Sequence, residues 1–469
     1  MRLHVLPLLA FAGVAAVALA GDDPPPPSAG GPPVDVLTGD WSGVRCSLAN
    51  HGVVPSLSYL GEVMGNTTGG FRRATIYEGL VTFGLDVDLQ KLVGWQGAKF
   101  HVAGLDPHGA GLTQKALRDV GVVSSADAYD GVRLDTLWLE QSFGNQRFSL
   151  RAGLLAVDDE FYQTASEAGL HPCGFWLVVD SRFECPVAHL PILRPGARLK
   201  MQPTRWSYAM VGAYGGNPAP GVFHDPSPDA VPSTDFNKHG TQWSLRRDEG
   251  AFLIAEGAVH FNDPADPVAL CAPAGDGKKA ATETRGLFTS VKAGVAYDTD
   301  TFSDAYDAEL IGLGSAGAPA RARARGGDWA VYALADRELY REPGTDAQGL
   351  SAFVHATYMP PDRNAYDFAG EAGLNYTGLL PRRGDDVFGL ACAIIHASAS
   401  SADAVRDANR ADGTHLATPD YEGVLEATYN AHLRPGVWLQ PDVQFILHPG
   451  ATSERGNALV IGLRTTITF

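Results

Sequence analysis

The sequence lacks both the long apolar runs of a helical membrane protein and the short motifs of common enzyme and metal sites. After residue 20, no stretch approaches the roughly 18 consecutive apolar residues that a membrane-spanning helix requires. No CxxC or HExxH sequence is present, so a zinc site has no support. No GxSxG sequence is present either, which removes the usual mark of a serine hydrolase. We therefore predict a protein that is not an enzyme and that uses neither a cofactor nor a metal.

Cysteine and positive charge are also scarce. The five cysteines are an odd number, so at least one has no partner within the chain. Cys173 and Cys185 are close enough in sequence to close one loop, whereas the other three are scattered. The net charge of −17 argues against nucleic acid as a partner, because binding to the phosphate backbone requires positive side chains.

The first 36 residues are predicted to serve export and linkage. Residues 1–20 carry Arg2 near the start, then an apolar run, and they end in Ala18-Leu19-Ala20. This is the pattern of a secretory signal peptide with its small-x-small cleavage site. Residues 21–36 are rich in proline and glycine, which predicts an extended linker.

One short amphipathic helix is predicted within residues 37–53. Asp40 is suited to cap its start, Val44 and Leu48 share one face, and Gly52 is suited to end it. The segment is too short to be a separate domain, so residues 54–469 must form the body of the protein.

The body of the chain alternates between apolar and polar residues, most clearly in its last stretch, 457–469. There Leu459, Ile461 and Leu463 alternate with Gly462 and Arg464, which is the period of a strand with one apolar and one polar face. The chain ends on the aromatic Phe469, which suits the aromatic girdle of a barrel. We predict sixteen such strands, at residues 54–64, 75–88, 97–106, 134–143, 147–156, 195–203, 205–214, 249–261, 286–300, 327–341, 349–359, 366–379, 385–397, 420–433, 436–447 and 457–469.

The predicted connections differ in length between the two ends of the strands. Tight turns at 144–146, 203–204 and 434–435 share one end, and the long connections share the other: 107–133, 157–194, 215–248, 301–326 and 398–419. Short periplasmic turns and long external loops are typical of an outer-membrane barrel. The connection 262–285 is a long insertion on the short side. We predict an all-β fold, a transmembrane antiparallel β-barrel of about sixteen strands with a short N-terminal helix.

Several blocks of sequence, in matching order, resemble the OprB-type family of carbohydrate-selective porins. The blocks are LTGDWSGVR, SLSYLGEVMGN, YEGLVTFGLDVDLQKLVGWQGAKFHV, LWLEQSF with FSLRAGLLAVDDEFY, and WLQPDVQFILHPG with NALVIGLRTTITF. The resemblance extends from about Leu37 to Phe469. It implies a sixteen-stranded barrel in the bacterial outer membrane that passes small sugars by diffusion through a constricted pore. The insertion at 262–285 and the cysteines depart from the family pattern.

A sugar pore requires hydrogen-bonding and charged groups at a constriction, with aromatic rings for the apolar face of the sugar. The longest predicted external connection is our candidate for a loop folded into the pore, with Trp176 or Phe175 as the stacking surface. A Cys173–Cys185 disulfide would stiffen this loop. Parity places further charged side chains of the neighbouring strands inside the pore. The predicted constriction residues are Glu140, Arg151, Asp158, Asp159, Glu160, Trp176, Arg182 and Arg198. Taken singly, each charge is also explained by the polar wall of a porin lumen.

Three alternative functions remain open at this point. A general pore would have the same fold without a preference for sugars. A barrel enzyme such as a lipid hydrolase needs a Ser/His pair on the outer wall, whereas His355 and His396 both have inward parity. A structural barrel would use residues 21–52 to tether the envelope. Expected partners besides sugars are outer-membrane lipid and lipopolysaccharide. Arg321, Arg323 and Arg325 are the candidates for contact with lipopolysaccharide phosphates, and a solvated, disordered loop is the alternative explanation that the sequence favours. Both a monomer and a homo-oligomer are compatible with the sequence.

Overall fold

The structure is a computed structural model that describes residues 36–124, 126, 130–164, 193–216, 239–241, 243, 250–262, 286–345 and 348–469. Several sequence predictions fall outside the described residues: the signal peptide, nearly all of the linker, all but the first residue of the insertion at 262–285, and the loop residues Cys173, Phe175, Trp176, Arg182 and Cys185.

Within the described part of the chain, sixteen antiparallel strands form one closed barrel, in which sequence neighbours pair and β1 pairs with β16. The strands are β1 (Val53–Thr68), β2 (Ala74–Asp88), β3 (Ala98–Gly109), β4 (Arg133–Phe143), β5 (Phe148–Leu155), β6 (Arg194–Thr204), β7 (Ser207–Gly215), β8 (Ala251–Phe261), β9 (Thr289–Ser303), β10 (Ala324–Arg341), β11 (Gly349–Tyr358), β12 (Tyr366–Thr377), β13 (Val387–Ala397), β14 (Tyr421–Arg434), β15 (Val437–Leu447) and β16 (Ala458–Thr468). The predicted fold is confirmed. The largest difference is in β1, which continues to Thr68 instead of ending at Met64.

The two ends of the barrel differ, and we call them the turn end, where β1 begins and β16 ends, and the loop end. The β4–β5, β6–β7 and β14–β15 connections at the turn end are tight, although two of the turns lie at 205–206 and 435–436, slightly later than predicted. The long β3–β4, β5–β6, β7–β8, β9–β10 and β13–β14 connections share the loop end, as predicted. The β1–β2 and β11–β12 connections there are short, at 69–73 and 359–365.

The described residues also form four α-helices, none of which is part of the barrel wall: α1 (Val44–Asn50), α2 (Leu89–Val93), α3 (Ala305–Gly312) and α4 (Ala399–Asp412). The helix α1 confirms the predicted N-terminal helix. In α4, the Ser398 side chain caps the start by accepting the Ser401 N–H at 3.2 Å, and Gly413 ends the helix at a positive φ of 66°. No helix among the described residues has both the length and the apolar character needed to cross a membrane.

The alternation of β16 gives the barrel an apolar outer face and a polar lumen. Leu463 is 46% exposed on the outside, whereas Arg464 is buried inside and donates through Nε to Glu62 of β1 at 2.6 Å. This ion pair joins the first and last strands on their lumen side. The same pattern continues around the wall, where exposed apolar side chains form an outer band: Leu139, Leu150, Leu199, Val211, Val295, Val331, Val354, Leu390 and Leu425.

One strand does not follow the simple pattern, and it corrects a prediction. On β13, Ile394 faces outward whereas Ile395 is buried inside, so both faces are apolar and parity does not identify the lumen side. His355 lies inside as expected. His396, however, is exposed on the outward side with Ile394, and its Nδ1 lies 2.7 Å from Oδ1 of Asp367. The prediction that His396 faces inward was wrong.

Two apolar clusters fill parts of the lumen because two loops fold inward. Phe161, from the loop after β5, packs among buried residues of β7 to β13 such as Phe252 and Tyr332. The ring of Tyr332 lies against Gly294 so closely that a Cβ there would be 2.2 Å from the ring. The second cluster is built by the loop after β3 on strands β1, β2 and β14 to β16: Met64, Ile76, Leu112, Ala116, Leu117, Val123, Val424, Ile446, Ala458 and Val460. Only the loop after β5 was predicted to enter the barrel.

The outer position of Leu463 gives a direct test of the assigned faces. Leu463→Arg places a charge against lipid hydrocarbon, and we expect it to destabilise the barrel by about 2–4 kcal/mol if the site is near the midplane. The measurement is urea-induced unfolding of the protein in lipid vesicles. Leu463→Ala removes apolar area without adding charge and should cost less. Equal stability of the Arg and Ala variants would contradict the assignment.

Candidate pore constriction

Three strands bring three of the predicted charged residues into one row inside the barrel. The register pairs Glu140 of β4 with Arg151 of β5, and Arg151 with Arg198 of β6. The turn between β4 and β5 is short, so this alignment follows directly from the hairpin. Arg151 Nε and Arg198 Nη2 each lie 2.8 Å from Oε2 of Glu140, so one carboxylate oxygen accepts from both guanidinium groups.

The loop after β5 adds a fourth charge to this row. Glu160 Oε2 accepts from Arg198 Nε at 2.8 Å, and Glu160 Oε1 accepts from Arg198 Nη2. Arg151 Nη1 lies 3.5 Å from Glu160 Oε2. Two carboxylates therefore alternate with two guanidinium groups in a closed set, which we call the tetrad: Glu140, Arg151, Glu160 and Arg198.

The members of the tetrad differ in their access to the lumen. The side chain of Arg198 is 2% exposed and that of Glu140 is 6% exposed, whereas Arg151 and Glu160 are 18% and 15% exposed. Arg198 also donates through Nη1 to Ser149 Oγ at 2.6 Å. A buried guanidinium is stable only when its charge and donors are satisfied, so Arg198 holds the set together. Arg151 and Glu160 are the two members that present polar groups to a solute.

Two more predicted residues, Asp158 and Asp159, lie beside the tetrad without joining it. Neither forms an ion pair with a described residue, and Asp158 Oδ1 is buried without a hydrogen-bond partner there. Burial raises the pKa of the Asp158 carboxyl, and the neighbouring charge of Asp159 adds to the effect. Asp159 is exposed to the lumen. The structure thus brings together four of the six predicted residues that it describes, and places two alongside.

The aromatic ring at this site is one that the sequence analysis missed. Trp138 shares the inward parity of Glu140, which is the signal that would have identified it. The Arg151 guanidinium lies 3.8 Å from the centroid of the Trp138 ring. The His101 ring stacks against Trp138 with centroids 4.9 Å apart, and His101 Nδ1 is 2.7 Å from Asp86 Oδ1. The ring therefore fixes the orientation of Arg151, in a contact worth about 0.5–2 kcal/mol.

A buried carboxylate anchors the loop after β3 inside the barrel, in addition to its apolar contacts. Glu422 of β14 accepts the backbone N–H groups of Val120 at 2.8 Å, Gly121 at 2.6 Å and Gly450 at 2.7 Å. Gln444 Nε2 donates to the Val123 carbonyl at 3.0 Å. Glu422 thus satisfies the N–H groups of Val120 and Gly121, and Gln444 satisfies the Val123 carbonyl, so these loop groups are not left without partners. Two loops, the one after β3 and the one after β5, therefore narrow the lumen from two sectors of the wall.

The described residues contain no group of three or more His, Cys, Asp or Glu side chains arranged to hold a metal ion. The site is instead a set of fixed hydrogen-bond donors and acceptors in an aqueous channel, which suits recognition of an uncharged polar solute.

Comparison with known proteins agrees with this architecture. The sequence model described as "Carbohydrate-selective porin, OprB family" matches residues 72–469. This chain belongs to the OprB family. The family and the fold are those of channels rather than enzymes, and they place the chain in the bacterial outer membrane. As a member of this family, the chain is a carbohydrate-selective porin.

Individual relatives extend over nearly the whole chain. Porin B of Pseudomonas aeruginosa is 26% identical over 449 residues, which cover 92% of this chain and 91% of the relative. The "Putative porin QuiX" of Acinetobacter baylyi is 21% identical over 458 residues, covering 92% and 93%. Among solved structures, the high-pH structure of Pseudomonas putida OprB aligns with a TM-score of 0.77 at 23% identity, covering 93% of this chain and 98% of that one. The last similarity establishes the fold.

The role of Glu422 can be tested by exchange of the loop amides. Glu422→Gln weakens charge-assisted hydrogen bonds worth about 1.5–3 kcal/mol, so we expect amide exchange in the segment containing Val120 and Gly121 to accelerate by about tenfold or more. Hydrogen-exchange mass spectrometry of the folded barrel measures this rate. Glu454→Gln is the matched control, because Glu454 accepts the Ala417 N–H at an exposed site. Unchanged protection in Glu422→Gln would mean that apolar packing alone holds the loop.

Proposed function

We propose that this porin passes small neutral sugars by passive diffusion and that the tetrad is its constriction. The observation that carries the proposal is the position of Glu160. A loop residue meets two wall strands inside the lumen, because its carboxylate is held by Arg198 of β6 and lies 3.5 Å from Nη1 of Arg151 of β5. Charged groups are thereby fixed at one level of the channel. Asp158, Asp159 and Trp138 lie next to this level and complete the lining.

The exposed members of the tetrad have complementary chemistry. The Arg151 guanidinium supplies N–H donors, and the Glu160 carboxylate supplies acceptor oxygens. A sugar hydroxyl both donates and accepts, so a hexose can exchange water for these groups as it passes. Because Arg198 and Glu140 already engage both groups, each interaction with the solute is moderate. Binding that is weak and distributed permits release on the far side.

Two further features of the chain belong to the same proposal. Residues 1–20 direct export, which supplies the protein to the outer membrane.

Of the three loop arginines expected to contact lipopolysaccharide, Arg323 and Arg325 instead engage Asp304 and Asp307, with Arg323 Nε 2.7 Å from Asp307 Oδ2. The hydrogen bond from Arg323 lowers the pKa of the Asp307 carboxyl. A contact with lipid phosphate therefore falls to the exposed Arg321, which has no ion pair with a described residue.

The tetrad is tested by liposome swelling with glucose and with an amino acid of similar size. We expect glucose to enter faster in the unmodified protein. Arg151→Gln removes a charged donor but keeps a polar side chain, and we expect the glucose-to-amino-acid rate ratio to fall by about fivefold, the equivalent of about 1 kcal/mol. Arg205→Gln, at an exposed position in the β6–β7 turn, should leave the ratio unchanged.

Two results would contradict the proposal. If the unmodified protein sorted solutes by size alone, the pore would be a general filter rather than a sugar-selective one. If Arg151→Gln and Arg205→Gln behaved alike while glucose selectivity persisted, selectivity would reside elsewhere in the lumen.

A further inference from the structure

We propose that the lumen contains a second binding station, at Lys200, for the carboxylate of a sugar acid. This station lies on the turn-end side of the tetrad. The inference rests on the proposed function, because a solute arriving from the loop end must first pass the constriction. It extends the substrate class from neutral sugars to polyhydroxylated carboxylates of similar size.

The position of Lys200 follows from the strand that carries it. Lys200 is two residues beyond Arg198 on β6, which continues to the turn end at Thr204. Leu199 and Met201 are each 39% exposed on the outer face, so Lys200 faces the lumen. Two residues along a strand span about 6.6 Å, so a six-carbon solute can contact the tetrad and Lys200 together.

The ammonium of Lys200 lies over an aromatic ring that a second cation also approaches. Its Nζ is 4.5 Å from the centroid of the Tyr208 ring, and Nζ of Lys292, from β9, is 5.9 Å from the same centroid. The His260 ring lies beside Tyr208 with centroids 5.4 Å apart. Four consecutive strands, β6 to β9, thus gather two ammonium groups and two rings at one level of the lumen.

The nearby carboxylates are already engaged by other donors. Glu256 Oε1 accepts from Tyr208 Oη at 2.7 Å, and Glu256 Oε2 accepts from Tyr332 Oη at 2.8 Å and from the Tyr162 N–H at 3.2 Å. Glu140 and Glu160 are engaged by the arginines of the tetrad. Lys292 donates to the Gln163 carbonyl at 2.6 Å.

Within the described part of the chain, the ammonium of Lys200 has the contact with the Tyr208 ring and no ion pair. Among the described residues, no carboxylate lies within ion-pair distance of its ammonium, and no acceptor lies within hydrogen-bond distance. A half-buried ammonium needs acceptors for its three N–H groups, and a cation–π contact supplies none. A solute carboxylate supplies both the charge and the acceptors, whereas a neutral hexose supplies only hydroxyls. The geometry therefore favours a solute with hydroxyls for the tetrad and a carboxylate for Lys200.

Glucose and glucuronate form the matched pair for the test, because they differ only at C6. We would measure the entry of each labelled solute into liposomes containing the full porin. In the unmodified protein both should enter. Lys200→Gln should slow glucuronate entry by about fivefold, the effect of losing one partly exposed ion pair, and leave glucose entry unchanged. Lys200→Arg keeps the charge and should retain glucuronate entry.

Control measurements separate the possible failures. Lys91→Gln, at an exposed position on α2, should change neither solute and controls for loss of a lysine. The heat stability of each barrel in detergent reports whether the variant is folded. If Lys200→Gln is misfolded, the same entry measurements are made with Lys200→Met. Normal glucose entry with glucuronate entry that does not depend on Lys200 would overturn the station and leave the proposed function intact. Absence of glucose entry in the unmodified protein would overturn the proposed function itself.

A final arm distinguishes a sugar acid from a simple anion. Reversal potentials in a potassium chloride gradient report the chloride permeability of the same variants. If Lys200→Gln altered chloride permeability but not glucuronate entry, the ammonium would serve small inorganic anions and the sugar-acid proposal would be rejected. Slower glucuronate entry in Lys200→Gln, rescued in Lys200→Arg, supports it whatever chloride does.

Discussion

Within the hydrocarbon of a membrane, each unpaired backbone N–H or C=O group costs several kcal/mol, so a sheet with open edges is not stable there. The pairing of β1 with β16 removes both edges, and the Glu62–Arg464 ion pair joins these strands on the lumen side. Closure also divides the side chains of each strand between lipid and lumen. The need to pair every backbone N–H and C=O group therefore closes the wall and, through closure, gives the barrel its separate polar interior.

A closed wall with a fixed register is also what positions the constriction. Glu140, Arg151 and Arg198 are adjacent because three consecutive strands align them, and no loop flexibility enters into their spacing. The loop after β5 then needs only one correctly placed side chain, Glu160, to complete the tetrad. The apolar contacts of Phe161 keep the loop against the wall at that point. Glu160, which supplies the charge, and Phe161, which packs the loop against the wall, are thus neighbours in one loop.

Much of this architecture was predictable from the sequence, because a barrel strand carries its own orientation in its period-two pattern. The parity of Glu140, Arg151 and Arg198 placed them inside correctly, and the short β4–β5 hairpin brought the first two together. Where both faces of a strand are apolar, as at Ile394 and Ile395, the pattern has no such information. The docking of Leu112 and Leu117 depends on a surface built by distant strands, which a local reading of the sequence does not contain.

The contact between Glu422 and the loop after β3 has a consequence for assembly of the barrel. Val120 and Glu422 are separated by 302 residues, and beside its contacts with β1 and β2 this loop packs on β14 to β16. Contacts between residues so distant in sequence form late, because the intervening chain must be ordered first. We therefore expect the lumen to remain wide on this side until β14, β15 and β16 are in place. On this expectation, the channel narrows in the same step that closes the wall.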